Sequence, residues 1–145
     1  MLGMPNLIAG FLLFSGFAGL IYQVAWVRLI GQSLGATSVS VAIVISSFFL
    51  GLALGSHLAG RMTWLRSRIA TYALLEVCIG LSALVLLPIL LNLDVVLALA
   101  PAFGSSLVLK AALCLALLIL PTTAMGATFP VAAALLESRS GHTGR

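Results

Sequence analysis

Glu76 stands alone as a carboxylate inside an unbroken apolar run, with Tyr72 to Leu75 on one side and Val77 to Gly80 on the other. An ionised acid at mid-bilayer depth costs about 2.5–3.5 kcal/mol on insertion scales, so it needs a partner or a proton. His57, Arg61 and Arg66 are the partners within reach in the sequence. Two chemistries follow. Glu76 either ties two helices together through an internal ion pair or hydrogen bond, or it serves as a proton or substrate site. A second unusual stretch runs from Pro121 to Pro130, with Thr122, Thr123, Gly126 and Thr128 between the prolines. A proline inside a helix removes a hydrogen bond and frees the carbonyl four residues back, here those of Leu117 and Gly126. Broken helices of this kind form substrate sites in transporters. The alternative is a kinked packing helix whose threonines bond back to their own chain. Arg28 lies close in depth to Asp94, and the two are expected to pair at one interface.

Other chemistries find no set of residues. The chain carries no P-loop, no GxGxxG followed by an acid, no HExxH and no GxSxG. His57 and His142 are its two histidines, and Cys78 and Cys114 its two cysteines, without ligand spacing. No metal, cofactor or catalytic residue is expected. The cysteines read as small buried hydrophobes. The net charge of +4 arises from six Arg and one Lys against three acids. No basic stripe with interleaved aromatics is present, so nucleic acid is not an expected partner.

The elements that must position these residues are set by the solvent. Of 145 residues, 62% are apolar and 7% charged, and the mean hydropathy is +1.26. A soluble domain carries about 25% charged residues. Apolar runs of about 20 residues cross a hydrocarbon core roughly 30 Å thick. Four such spans are expected, near 5–31, 38–60, 69–91 and 107–129, giving an all-α bundle of four transmembrane helices within one domain over 1–137. The segment from Asn92 to Ser106 is expected to lie on the membrane surface, and 138–145 to form a polar tail. The N-terminal stretch lacks a basic leader and exceeds signal-peptide length, so it reads as a retained helix.

Two stripes predict where helices meet. Gly16, Gly19, Gln23, Trp26 and Ile30 share one face of the first span at helical spacing. Ser47, Gly51, Gly55 and Ala59 recur every four residues in the second, a ladder of small residues that lets backbones approach closely in lipid. Arg61, Arg66 and Arg68 make a basic loop, expected on the cytoplasmic side. An even number of spans then puts both termini there, and the arginines of the tail agree. Trp64 fits an interface anchor.

Four motifs together resemble a known family. They are GFAGLIYQVAWVR over residues 16–28, GLALGSHLAGR over 51–61, LLEVCIG over 74–80 and PTTAMGATFP over 121–130. They look like the membrane-embedded N-terminal region of spermidine synthase-like proteins, in which a transporter-type segment is fused to an aminopropyltransferase-like domain. The second and fourth motifs are also distantly similar to the start of a major facilitator half. The resemblance implies a bacterial cytoplasmic-membrane protein. It transfers no catalytic residue, because the catalytic domain has no counterpart among these residues. The expected function is a non-catalytic membrane subunit that packs against or anchors a larger complex, or self-associates, through its small-residue stripes. One alternative is a half-sized, homo-oligomeric transporter of a small, cationic, polyamine-like substrate. Another is an anchor that recruits a separate aminopropyltransferase-like enzyme. Lipid or pigment contacts along the apolar faces are compatible with each.

Overall fold

The structure, a computed structural model, describes residues 4–61, 69–99 and 106–140, with side chains placed over 9–61, 69–99 and 106–137. Five helices account for nearly all of it: α1 Met4–Leu34, α2 Thr37–Arg61, α3 Ile69–Leu91, α4 Leu93–Leu99 and α5 Leu107–Ser140. No strand occurs among the described residues. In hydrocarbon every backbone N–H and C=O must be satisfied within its own segment, which favours this outcome for apolar runs. Four of the helices are long and apolar enough to cross a membrane. The chain is an all-α, polytopic integral membrane protein.

Turn chemistry sets the first hairpin. Gly35 adopts a left-handed conformation with φ 68°, and its N–H donates to the Gly31 carbonyl at 3.0 Å. Glycine takes this geometry without a steric penalty and so closes helix ends. Two residues separate α1 from α2, so these helices run antiparallel.

The most extensive contact in the molecule joins α2 to α5. It follows the expected ladder: Ser47, Gly51, Gly55 and Ala59 are all buried. Thr122 reaches Ser47 and Gly51, Thr123 and Ala127 flank Gly55, and Val131 and Leu135 cluster with Ala59. Contacts therefore advance in the same direction on both helices, and α2 and α5 are parallel. A Cβ placed on Gly55 would lie 2.7 Å from the Ala127 amide nitrogen and collide with the Thr123 carbonyl. One on Gly126 would lie 2.5 Å from the Leu52 carbonyl oxygen. Only hydrogen fits at these positions. α1 flanks this pair and packs chiefly on α2, while α3 packs chiefly on α5.

The larger core lies toward the α1–α2 turn. Trp26, Ile30, Val44, Leu90, Cys114 and Leu118 belong to it, and the Trp26 ring stacks on Tyr22 at 5.8 Å between centroids. The segment after α3 packs one face on that core: α4 turns Leu93 and Leu97, four apart, into it, while Asp94, Val95 and Leu99 stay exposed. At the prolines the packing-helix alternative holds rather than the broken one: α5 runs unbroken through Pro121 and Pro130. It also continues past the expected end at 129 and takes in residues 138–140 of the expected tail. Residues 62–68, the loop with Trp64, Arg66 and Arg68, fall outside the described residues, as do 100–105 and 141–145.

This packing predicts opposite signs for two glycine substitutions. Gly55→Ala should destabilise by about 1–3 kcal/mol or more, as overpacking does. Gly80, in the interior of α3, has no neighbouring atom within 4 Å of the place a Cβ would occupy, so Gly80→Ala should stabilise by about 0.5–1 kcal/mol. Thermal unfolding in detergent micelles followed by circular dichroism measures both.

Candidate functional site

Three regions concentrate the polar and open features of the molecule. The first is the crossing itself. Pro121 cannot donate to Leu117, and the neighbouring threonines turn inward. Thr122 Oγ1 donates to the Leu118 carbonyl at 2.8 Å and lies 3.2 Å from the Ser47 carbonyl across the interface. A hydroxyl has one proton, so the shorter bond takes most of it, and the Ile119 carbonyl at 3.1 Å and the interhelical contact share the remainder. Thr123 Oγ1 donates to Ile119 at 2.6 Å, and Thr128 Oγ1 to Met125 at 2.6 Å. Ser47 Oγ bonds back to Ile43 at 2.7 Å. These hydroxyls are thus occupied by carbonyls of their own helices, the outcome of a continuous packing helix rather than a broken one.

The second region is the pair Tyr72 and Glu76, one turn apart on α3. Both side chains are half-buried. Tyr72 Oη and Glu76 Oε1 are enclosed without a well-formed hydrogen bond, although the carboxylate is close enough to the phenol to interact with it. A buried polar atom left unsatisfied costs about 1–3 kcal/mol. Tyr72 and Leu75 pack against Ala59, Val131 and Leu135 near the Arg61 end of the bundle. Of the partners expected for Glu76, His57 and Arg61 are exposed, and Arg66 lies outside the described residues.

The third region is a crevice of about 730 Å³ bounded by α2, α3 and α5. Leu75, Cys78, Leu81 and Val85 form its α3 wall, Gly55 and Leu58 its α2 wall, and Leu120 is among the residues of its α5 wall. Along α3 it extends from Thr71 to Ile89, about 27 Å at 1.5 Å per residue, close to the hydrocarbon thickness. A smaller gap of about 500 Å³ lies across the α2–α5 pair, between Ser15, Gly16 and Gly19 of α1 and Phe48, Met125 and Thr128.

The expected site residues are therefore divided. Ser47, Gly51, Gly55, Thr122, Thr123 and Gly126 come together at one internal crossing. In the α1 stripe, Trp26 and Gly19 are buried, Gln23 is half-buried, and Gly16 faces open space. Pro130 is half-buried near the far end of α5. Arg28 and Asp94 are both exposed, and among the described residues no ion pair joins them. His57 is exposed, and no metal-holding group of three or more His, Cys, Asp or Glu exists among the described residues. Sequence reasoning passed over Tyr72 and the crevice wall. The signal for Tyr72 was its place four residues before Glu76, on the same helical face. The crevice has no such signal, since leucine and valine read alike in a packed face and an open one.

No protein-family model, curated protein or solved structure matches this chain.

The shared Thr122 hydroxyl predicts a small penalty for its loss. Thr122→Val keeps the shape and removes the bond, and should destabilise by about 0.5–1.5 kcal/mol, the range of interhelical hydrogen bonds in membranes. Reversible unfolding in mixed micelles measures it.

Proposed function

We propose that this chain is a non-catalytic integral membrane subunit that packs against and stabilises a larger membrane complex. The crevice beside α3 carries the reading. It is as long as the bilayer core is thick, and its lining is almost wholly apolar. A helix of a partner laid into it would gain van der Waals contact along its length, which is what drives association in lipid. The three threonines of α5 support the same view, because carbonyls of their own helix already occupy them.

The docking surface moves relative to the sequence expectation. The small-residue ladder is consumed by α5 inside the molecule, so a partner must use another face. The bias of arginines toward the 61–68 loop and the tail supports a cytoplasmic placement of both termini, in a bacterial inner membrane by the motif resemblance. That resemblance to spermidine synthase-like proteins also suggests one partner class, a separately encoded aminopropyltransferase-like enzyme.

The test is a native mass measurement in mild detergent. The chain extracted from its own membranes should travel in a complex well above 15.0 kDa. Leu81 and Val85 are exposed crevice residues, and Leu81→Trp with Val85→Trp should return it to its monomer mass with unchanged helicity. A wild-type monomer, or a complex indifferent to the filled crevice, would contradict the reading.

A further inference from the structure

The crevice beside α3 is a narrow slot, and its dimensions select what can fill it. Small residues make its floor, Gly55 and Ala59 of α2 with Ala124 and Ala127 of α5, and larger ones such as Leu75 and Leu120 stand along its sides. A volume of about 730 Å³ spread over about 27 Å of α3 leaves a mean width of about 5 Å. A helix with its side chains is about 10–12 Å across, so the partner helix of the subunit reading lies along the mouth and does not reach the floor. A hydrocarbon chain, which needs neighbours at carbon contact distances of about 3.5–4.0 Å, does reach it. The walls offer little to a polar tail. Ser82 Oγ already donates to Ile79 at 2.7 Å, and Thr123 Oγ1 to Ile119 at 2.6 Å.

One end of the slot carries a charge. Arg61 ends α2 and follows Leu58 of the α2 wall by three residues, which puts both on one side of the helix. It is exposed, as is His57 one turn earlier, and among the described residues no ion pair involves it. Basic sites between transmembrane helices bind anionic headgroups, and a guanidinium meets phosphate oxygens with two parallel N–H donors. Beyond the subunit reading, and independent of it, we propose that the slot seats an acyl chain of an anionic phospholipid whose phosphate is held at Arg61. The far end lacks this match. Lys110 is half-buried and lies about 9 Å along α5 before Ala116, where the α5 lining begins.

The test is native mass spectrometry of the purified chain, released from non-ionic detergent after titration with phosphatidylglycerol or with phosphatidylcholine of the same acyl chains. No partner is present, so the result is separate from whether the larger complex forms. One lipid should stay bound. Phosphatidylglycerol should saturate the site at about fivefold lower concentration, the advantage one cation gives near a membrane surface. Arg61→Gln should remove that preference and keep one bound lipid. Leu81→Trp with Val85→Trp should reduce retention of both lipids; if circular dichroism shows lost helicity, the Arg61 variant decides alone. The proposal is overturned by equal affinity for the two lipids in the wild type, by a preference that survives Arg61→Gln, or by undiminished retention in the filled slot.

Discussion

The backbone-to-backbone approach of α2 and α5 governs the arrangement of everything else. At Gly51, Gly55 and Gly126 the two helices are so close that a single added carbon would enter the partner's main chain. Hydrocarbon offers no hydrophobic drive between apolar helices, so van der Waals contact and shared hydrogen bonds must hold them. Small residues every fourth position supply the first. Thr122, poised between its own helix and the Ser47 carbonyl, supplies the second.

From this parallel pair the remaining helices take their places. Each of the two central helices carries its antiparallel neighbour, α1 on α2 and α3 on α5. The connection after α3 folds inward as α4 and seals one end of the bundle with Leu93 and Leu97. Along the flanks the fit is looser. The gaps beside α1 and α3 open on opposite sides of the tight pair, and the exposed large side chains, such as Phe14, Phe17, Leu84 and Val85, suit contact with lipid. The molecule thus combines a rigid centre with open apolar flanks, the property from which its proposed role as a packing subunit is drawn.

Much of this architecture was legible beforehand. Composition alone required hydrocarbon as solvent, and run lengths separated four spans. The ladder from Ser47 to Ala59 announced a close helix contact. What it did not announce was the partner helix, because glycine at i and i+4 specifies proximity and not identity. The ladder was expected to face another protein and instead faces α5. Pro121 and Pro130 were ambiguous for a related reason. A proline frees a carbonyl whether or not the helix breaks, and continuity was decided by threonine back-bonding and by tight packing on α2, neither visible in the sequence. Asp94 gave the segment after α3 a surface character and is exposed, but the composition did not mark Leu93 and Leu97 as the pair that turns inward. The position of Glu76 was plain; its enclosure beside Tyr72 depends on how α3 leans on α5.

A cross-linking measurement bears most directly on the parallel α2–α5 crossing. In a background lacking Cys78 and Cys114, one variant would pair Ser47→Cys with Thr122→Cys and a second would pair Ala59→Cys with Val131→Cys, each oxidised in membranes and read by mass spectrometry of the linked peptides. Both pairs should form intramolecular disulfides at comparable yield, since contacts progress together along the two helices. A link at the first pair with none at the second, or links found only between separate chains, would contradict the crossing and the arrangement built on it.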